Sequence, residues 1–92
     1  MIIWDEEKNI KLKLERNISF ETVSEIILNK KYIDILENPA RPEQNIFVVE
    51  INDYIHAVPF IIDKNSNIFL KTAYPSRKLN RKYRGRSWKK LN

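Results

Sequence analysis

Residues 46–62 read IFVVEINDYIHAVPFII, and this stretch decides the fold. Ile46 to Ile51 and Tyr54 to Ile62 are rich in β-branched and aromatic residues, the types that fit a pleated, half-buried surface. Asn52 and Asp53 form a two-residue link suited to a tight hairpin, so the two runs are expected to pair antiparallel. Apolar residues fall on both faces of each run, which predicts a sheet covered on at least one side by helices. Pro59 marks a bulge or an unpaired N–H.

Downstream of this hairpin, Asp63 to Asn67 reads as a turn and Ile68 to Tyr74 as the last strand. Upstream, Ile33 and Ile35 alternate with Tyr32 and Asp34, and the run ends in the breakers Asn38, Pro39, Ala40, Arg41 and Pro42, which predicts a first full strand and a loop. Before it the period is helical. Asp5 supplies an N-cap oxygen, Glu6 and Glu7 sit where the helix dipole favours anions, and a helix follows from about Glu6 to Arg16. Ile10 and Leu14 share one face of it, while Lys8, Lys11, Lys13 and Glu15 spread over the rest. Asn17 can close this helix in a left-handed conformation. Ser19 can cap a second helix in which Phe20, Val23, Ile26 and Ile27 repeat at helical spacing. The expected class is α+β, with two N-terminal helices packed on an antiparallel sheet of about four strands.

After Pro75, Ser76 can cap a short basic helix with Leu79 and Tyr83 on one side and Arg77, Lys78, Arg81 and Lys82 on the opposite arc. Gly85, the only glycine, is placed to end it. Residues 1–85 are read as a single domain and residues 86–92 as a basic tail with too little apolar content to fold alone.

Ninety-two residues suffice for one core, and 42% hydrophobic content with ten aromatics suits a globular domain. The chain has no cysteine, which removes disulfides, thiolate catalysis and Cys-ligated zinc. The start MIIWDEEKN lacks the basic, then apolar pattern of a secretory signal, and no stretch approaches the ~18 apolar residues of a membrane span. A cytoplasmic protein is expected. There is no Gly-rich phosphate loop, no G-x-S-x-G and no H-E-x-x-H, so NTPase, hydrolase-elbow and zinc-protease readings lack a foothold. Asp5, Glu6 and Glu7 are explained by a helix start, and neither metal nor cofactor is expected.

Charge is distributed unevenly. Lys71 to Asn92 hold nine Lys or Arg and no acid, whereas residues 1–70 hold twelve acids against eight bases. Clustered cations gain more from displacing counterions on a polyanion than scattered ones. Lys71, Tyr74, Lys78, Arg81, Lys82 and Arg84 are candidate RNA-binding residues, with Arg86, Trp88, Lys89 and Lys90 in the tail. Cations grip phosphate and rings stack on unpaired bases, a combination suited to single-stranded RNA. With about five phosphate contacts, affinity should fall roughly a hundredfold between about 50 and 200 mM salt. RNA cleavage needs no metal: a base takes the 2′-hydroxyl proton, an acid protonates the leaving oxygen, and cations stabilise the transition state. Arg77, Lys71 and Lys78 can stabilise, and Tyr74, Tyr83, His56 or Glu50 can move protons. Residue types alone do not single one out, and His56, mid-strand in phase with Tyr54, Val58 and Phe60, reads more readily as a packed strand residue than as a catalytic one.

The start Ile3-Trp4-Asp5-Glu6-Glu7-Lys8-Asn9, the joint Glu15-Arg16-Asn17-Ile18-Ser19-Phe20-Glu21 and the close Tyr74-Pro75-Ser76-Arg77-Lys78, followed by Arg81-Lys82-Tyr83, resemble the BrnT family, small toxins of bacterial toxin–antitoxin pairs. The resemblance runs from about Ile2 to Tyr83. It implies a RelE-like fold and metal-independent ribonuclease activity that stops translation. It also implies neutralisation by a cognate antitoxin with a ribbon-helix-helix DNA-binding part, in a 2:2 complex that represses its own operator DNA. By this resemblance Arg77, Lys78 and Tyr83 are substrate-binding or catalytic positions. Two positions depart from the family: Arg16 stands where a His is common, and Asn45 lies near a commonly basic position. The leading expectation is an endoribonuclease in which Arg77 and Lys78 bind the scissile phosphate and Tyr83 or His56 handles a proton. The alternatives are a nucleic-acid-binding module that does not cut, and a basic segment that docks on an acidic protein.

Overall fold

The hairpin read from residues 46–62 sits in the middle of the sheet. The computed structural model describes residues 1–91, with side chains through residue 84. Strands β3 (Asn45–Ile51) and β4 (Tyr54–Ile62) pair antiparallel in unbroken register from Asn45↔Phe60 to Ile51↔Tyr54. Asn52 and Asp53 take φ of 53° and 61°, the left-handed conformation that such a turn asks of both central residues and that short polar side chains tolerate.

Strand β2 (Asp34–Glu37) pairs antiparallel with β3, and β5 (Ile68–Leu70) antiparallel with β4. Strand β1 (Ile2–Trp4) lies parallel to β5, giving the order β1-β5-β4-β3-β2, and the short β6 (Tyr74–Pro75) pairs with His56 and Ala57 on β4. The sheet is therefore mixed and six-stranded, where an antiparallel sheet of about four was expected.

Two local causes account for the difference. The apolar start of the chain, too short to announce a strand, is covered by pairing with β5, and Trp4 packs on Phe20 with ring centroids 5.8 Å apart. The expected strand from Ile68 to Tyr74 breaks because its register brings Lys71 opposite Pro59. The Lys71 N–H donates to the Pro59 carbonyl at 2.8 Å, but proline has no N–H to return. The chain leaves the ladder there, buries Ala73, and offers the Ala73 carbonyl to the Arg16 guanidinium at 2.7 Å before rejoining β4 at Tyr74. Pro59 is thus the position with no N–H to pair, and the β3–β4 ladder passes it without a bulge.

Helices α1 (Glu6–Arg16) and α2 (Phe20–Leu28) begin and end as expected. The Asp5 carboxylate accepts from the Glu7 N–H, Ser19 Oγ accepts from the Thr22 N–H, and Asn17 takes φ 55°. Phe20, Val23 and Ile27 of α2 pack with Phe47, Val49, Val58 and Phe60 from one sheet face. The inward face of α1 differs from expectation. Ile10 and Leu14 are 50% and 82% exposed, whereas Asn9 and Leu12 are buried. Asn9, Leu12 and Arg16 lie at i, i+3 and i+7; Asn9 hydrogen-bonds inward, and the exposed Arg16 side chain reaches back to the Ala73 carbonyl. Asn9 Oδ1 accepts from the Phe20 N–H at 2.8 Å, and its amide donates to Glu6 and Glu21.

Side chains alternate along a strand, so Val48 and Ile55 face away from α1 and α2. There they meet Leu79 and Tyr83 of α3 (Arg77–Leu91), with Leu36 at the edge. Ser76 caps α3, its Oγ accepting from the Leu79 N–H at 3.2 Å. The expected stop at Gly85 is not made, since the backbone stays helical to Leu91. A glycine inside a helix costs only about 1 kcal/mol relative to alanine. The side chains of the expected tail, residues 86–92, lie outside the described residues. The result is a small α+β domain with helices on both sides of one mixed sheet. No helix among the described residues is long and apolar enough to cross a membrane.

Candidate nucleic-acid interface

The position of α3 follows from its sequence. Leu79 and Tyr83 fall one turn apart and seek the apolar face of Val48 and Ile55. Polar pins hold the contact: the Asn80 side-chain Oδ1 accepts from the Ile55 N–H at 3.1 Å, and the Ile55 backbone carbonyl accepts from the Ser76 N–H at 3.0 Å. Burying that stripe turns Arg77, Lys78, Arg81 and Lys82 to solvent.

Among the described residues the ion pairs are Lys13–Glu21 and Arg84–Glu50. Arg84 is therefore already engaged, while Arg77, Lys78, Arg81, Lys82 and Lys71 have no carboxylate beside them among the described residues. The first turn of α3 carries no acid, so Arg77 and Lys78 stand at the end of a helix where the backbone dipole is itself positive. Cations there repel the helix by about 0.3–1 kcal/mol each, and an anion bound beside them would reverse the sign.

Beside α3 the same sheet face is open. A groove of about 670 Å³ lies between residues 38–44 and 71–74, over Pro59 and Ile61, and Arg41, Lys71, Lys8 and Tyr74 all reach it. Lys71 extends over the Phe69 ring at 5.2 Å, and Tyr74 is 38% exposed. Tyr74 precedes Arg77 by three residues, so the two lie within about 11 Å along the chain. The Tyr74 end of the groove thus lies near the start of α3, on the same sheet face. The groove's apolar floor and open ring suit an unpaired base, and its rim suits phosphate.

The structure does not bring the three expected catalytic residues together. Arg77 is on the exposed arc. Tyr83 is 9% exposed and its hydroxyl donates to the Asp34 carboxylate at 2.8 Å. His56 is the cross-strand partner of Val49, on the sheet face opposite α3, where it is 6% exposed with Nδ1 3.0 Å from the Tyr54 carbonyl oxygen. Glu50 is tied to Arg84. Arg16, one of the two departures noted above, holds the Ala73 carbonyl, and Asn45 opens β3 at the surface.

Arg41, Lys8 and Glu43, all of which line the groove, were absent from the sequence reading of this surface. Arg41 was legible as a lone cation in a proline-rich loop, a weak signal. Nothing linear about Lys8 distinguishes it from the other lysines of α1. Tyr83→Phe is expected to lower stability by about 1 kcal/mol and to leave action on RNA unchanged. Denaturant unfolding beside an RNA assay checks this, and lost action in a folded variant would return the hydroxyl to the chemistry.

No family model, no curated protein and no solved structure matches this chain. The likeness to BrnT toxins rests on the quoted sequence segments alone.

Proposed function

We propose that this protein binds single-stranded RNA across the α3 ridge and the adjoining groove and cleaves it without a metal, as the toxin of a toxin–antitoxin pair. One observation carries the substrate: Arg77, Lys78, Arg81 and Lys82 stand in solvent with no carboxylate partner among the described residues, and the chain leads from Arg77 in three residues to Tyr74, in a groove that Lys71 and Arg41 also reach. In this reading Arg77 and Lys78 stabilise the phosphate as negative charge builds on its oxygens. Proton transfer falls to Tyr74 and Glu43, which line the groove, because Tyr83 is bonded to Asp34 and His56 lies on the other sheet face. The RelE-like classification, the cytoplasmic setting and the partner, a ribbon-helix-helix antitoxin in a 2:2 complex on operator DNA, follow from the sequence resemblance.

The engagement of Tyr83 and His56 favours one rival, a protein that grips RNA on the same surface without cutting it. Prolonged incubation of purified protein with end-labelled RNA separates the two. New ends, produced with chelator present, are expected; a protected strand of unchanged length would leave a binder. Induction in a bacterium with and without the neighbouring gene tests the pairing. Growth arrest with new RNA ends, relieved by the neighbour, is the expected result, and normal growth with intact RNA would overturn it.

A further inference from the structure

The groove does not end at the sheet. A second cavity of about 80 Å³ adjoins it and shares Lys8 and Thr72 with it, its remaining lining being Lys11, Leu12, Glu15 and Arg16 of α1. It is much smaller than the groove, and three cations, one acid and Thr72 make up all but one of its lining residues, a polar lining that suits a phosphate better than a base. Lys8, Lys11, Glu15 and Arg16 recur at i, i+3, i+7 and i+8, so they line one stripe of α1. That stripe meets the irregular segment 71–73, which Pro59 forces out of the ladder and Arg16 holds at Ala73.

From this juxtaposition we propose that a single strand of RNA leaves the groove across Thr72 and places its next phosphate on α1, between Lys8 and Lys11. The proposal rests on the RNA-binding reading and extends the site to the helix on the far side of the sheet. A duplex does not suit this path, because the apolar floor of Pro59 and Ile61 is useful only to bases free to lie on it. The path changes character along its length: the groove offers Pro59, Ile61 and Tyr74 to a base, whereas the dent on α1 is lined mainly by charge and takes the phosphate. Glu15 is the single acid lining that dent. It sets an upper limit on how tightly a phosphate is held, and its replacement should raise affinity.

The test uses the full chain and fluorescence anisotropy with two oligouridylates, one of about 4 nucleotides that fills the groove and one of about 10 that reaches α1. Lys11→Glu is expected to weaken the longer strand about tenfold and to lower the magnitude of its salt slope by about 0.7. The shorter strand should bind as before. Glu15→Lys is expected to act in the opposite direction, tightening the longer strand several-fold, an outcome that unfolding cannot mimic. Unchanged binding of the longer strand by both variants would overturn the extension, and if Arg77→Glu with Lys78→Glu still abolished binding, the parent reading would survive. No RNA binding by the unaltered protein would overturn both. Preference for polyglutamate over RNA, with the same dependence on Lys11 and Glu15, would assign the trench to an acidic protein and overturn the RNA path.

Discussion

Replacing Asn9 by alanine is expected to lower the unfolding free energy by about 3 kcal/mol, a large share of what a domain of this size has. Asn9 is fully buried, and its side chain satisfies the Phe20 N–H at the start of α2 while donating to Glu6 and Glu21. Without it a helix-start donor is left unpaired inside the protein, and the exposed Lys13–Glu21 pair remains as the side-chain ion pair between α1 and α2. Urea unfolding followed by tryptophan fluorescence reads the effect, since Trp4 packs on Phe20 at this joint. A loss below about 1 kcal/mol would show that Asn9 can be spared, or that water replaces it. The acid limb offers a second readout. The Asn9 hydrogen bond is the main cause holding the Glu21 carboxyl below its ordinary value, with its own backbone N–H and Lys13 assisting. A lowered carboxyl stabilises the fold above its ordinary pKa of 4.5 and gives that contribution up as the pH falls through the lowered value. The effect is small, because Glu21 is solvated. The alanine variant should show a shallower decline in stability over that window than the parent does.

The second large effect is on binding. Arg77→Glu combined with Lys78→Glu is expected to weaken single-stranded RNA by a hundredfold or more, since two charge-assisted contacts of about 1.5 kcal/mol each are lost and replaced by repulsion. The salt slope should fall in magnitude by about 1.4, or 0.7 for each phosphate released. Both residues are exposed and outside the Leu79–Tyr83 contact, so the fold should tolerate the change. Acids in the first turn also suit the helix dipole, and the thermal midpoint should stay level or rise. A variant that melts normally and binds RNA as before would remove α3 from the interface. Arg84→Glu makes a useful contrast. Arg84 already pairs with Glu50, so this reversal should disturb RNA binding less than either change at the start of the helix.

Much of the fold was legible because its decisive signals are local. Asp5, Ser19 and Ser76 cap helices through side chains reaching two or three residues along the chain, and Asn52 with Asp53 sets the hairpin register by backbone conformation alone. Hydropathy failed on α1 for a definite reason. The inward stripe of Asn9, Leu12 and Arg16 is mostly polar, and its partners lie 11 to 57 positions away, at the Phe20 N–H and the Ala73 carbonyl. A periodicity count sees Ile10 and Leu14 instead, and these face solvent. The break after Leu70 was missed similarly, because its cause, Pro59, sits on the neighbouring strand.

The candidate surface divides along the same line. By itself the sequence determined that a basic segment would follow the sheet and that Leu79 and Tyr83 would turn Arg77, Lys78, Arg81 and Lys82 outward, because helical spacing is a property of the chain. Only the tertiary structure decided that His56 and Tyr83 belong to opposite faces of the sheet, that the Tyr83 hydroxyl meets Asp34, and that Arg41 and Lys8 join Lys71 and Tyr74 around one groove. Those meetings depend on strand register and on which face each helix covers. Outside the β3–β4 hairpin, register is a relation between distant segments, settled by burying Phe20, Phe60 and Leu70 together, and no local pattern encodes it.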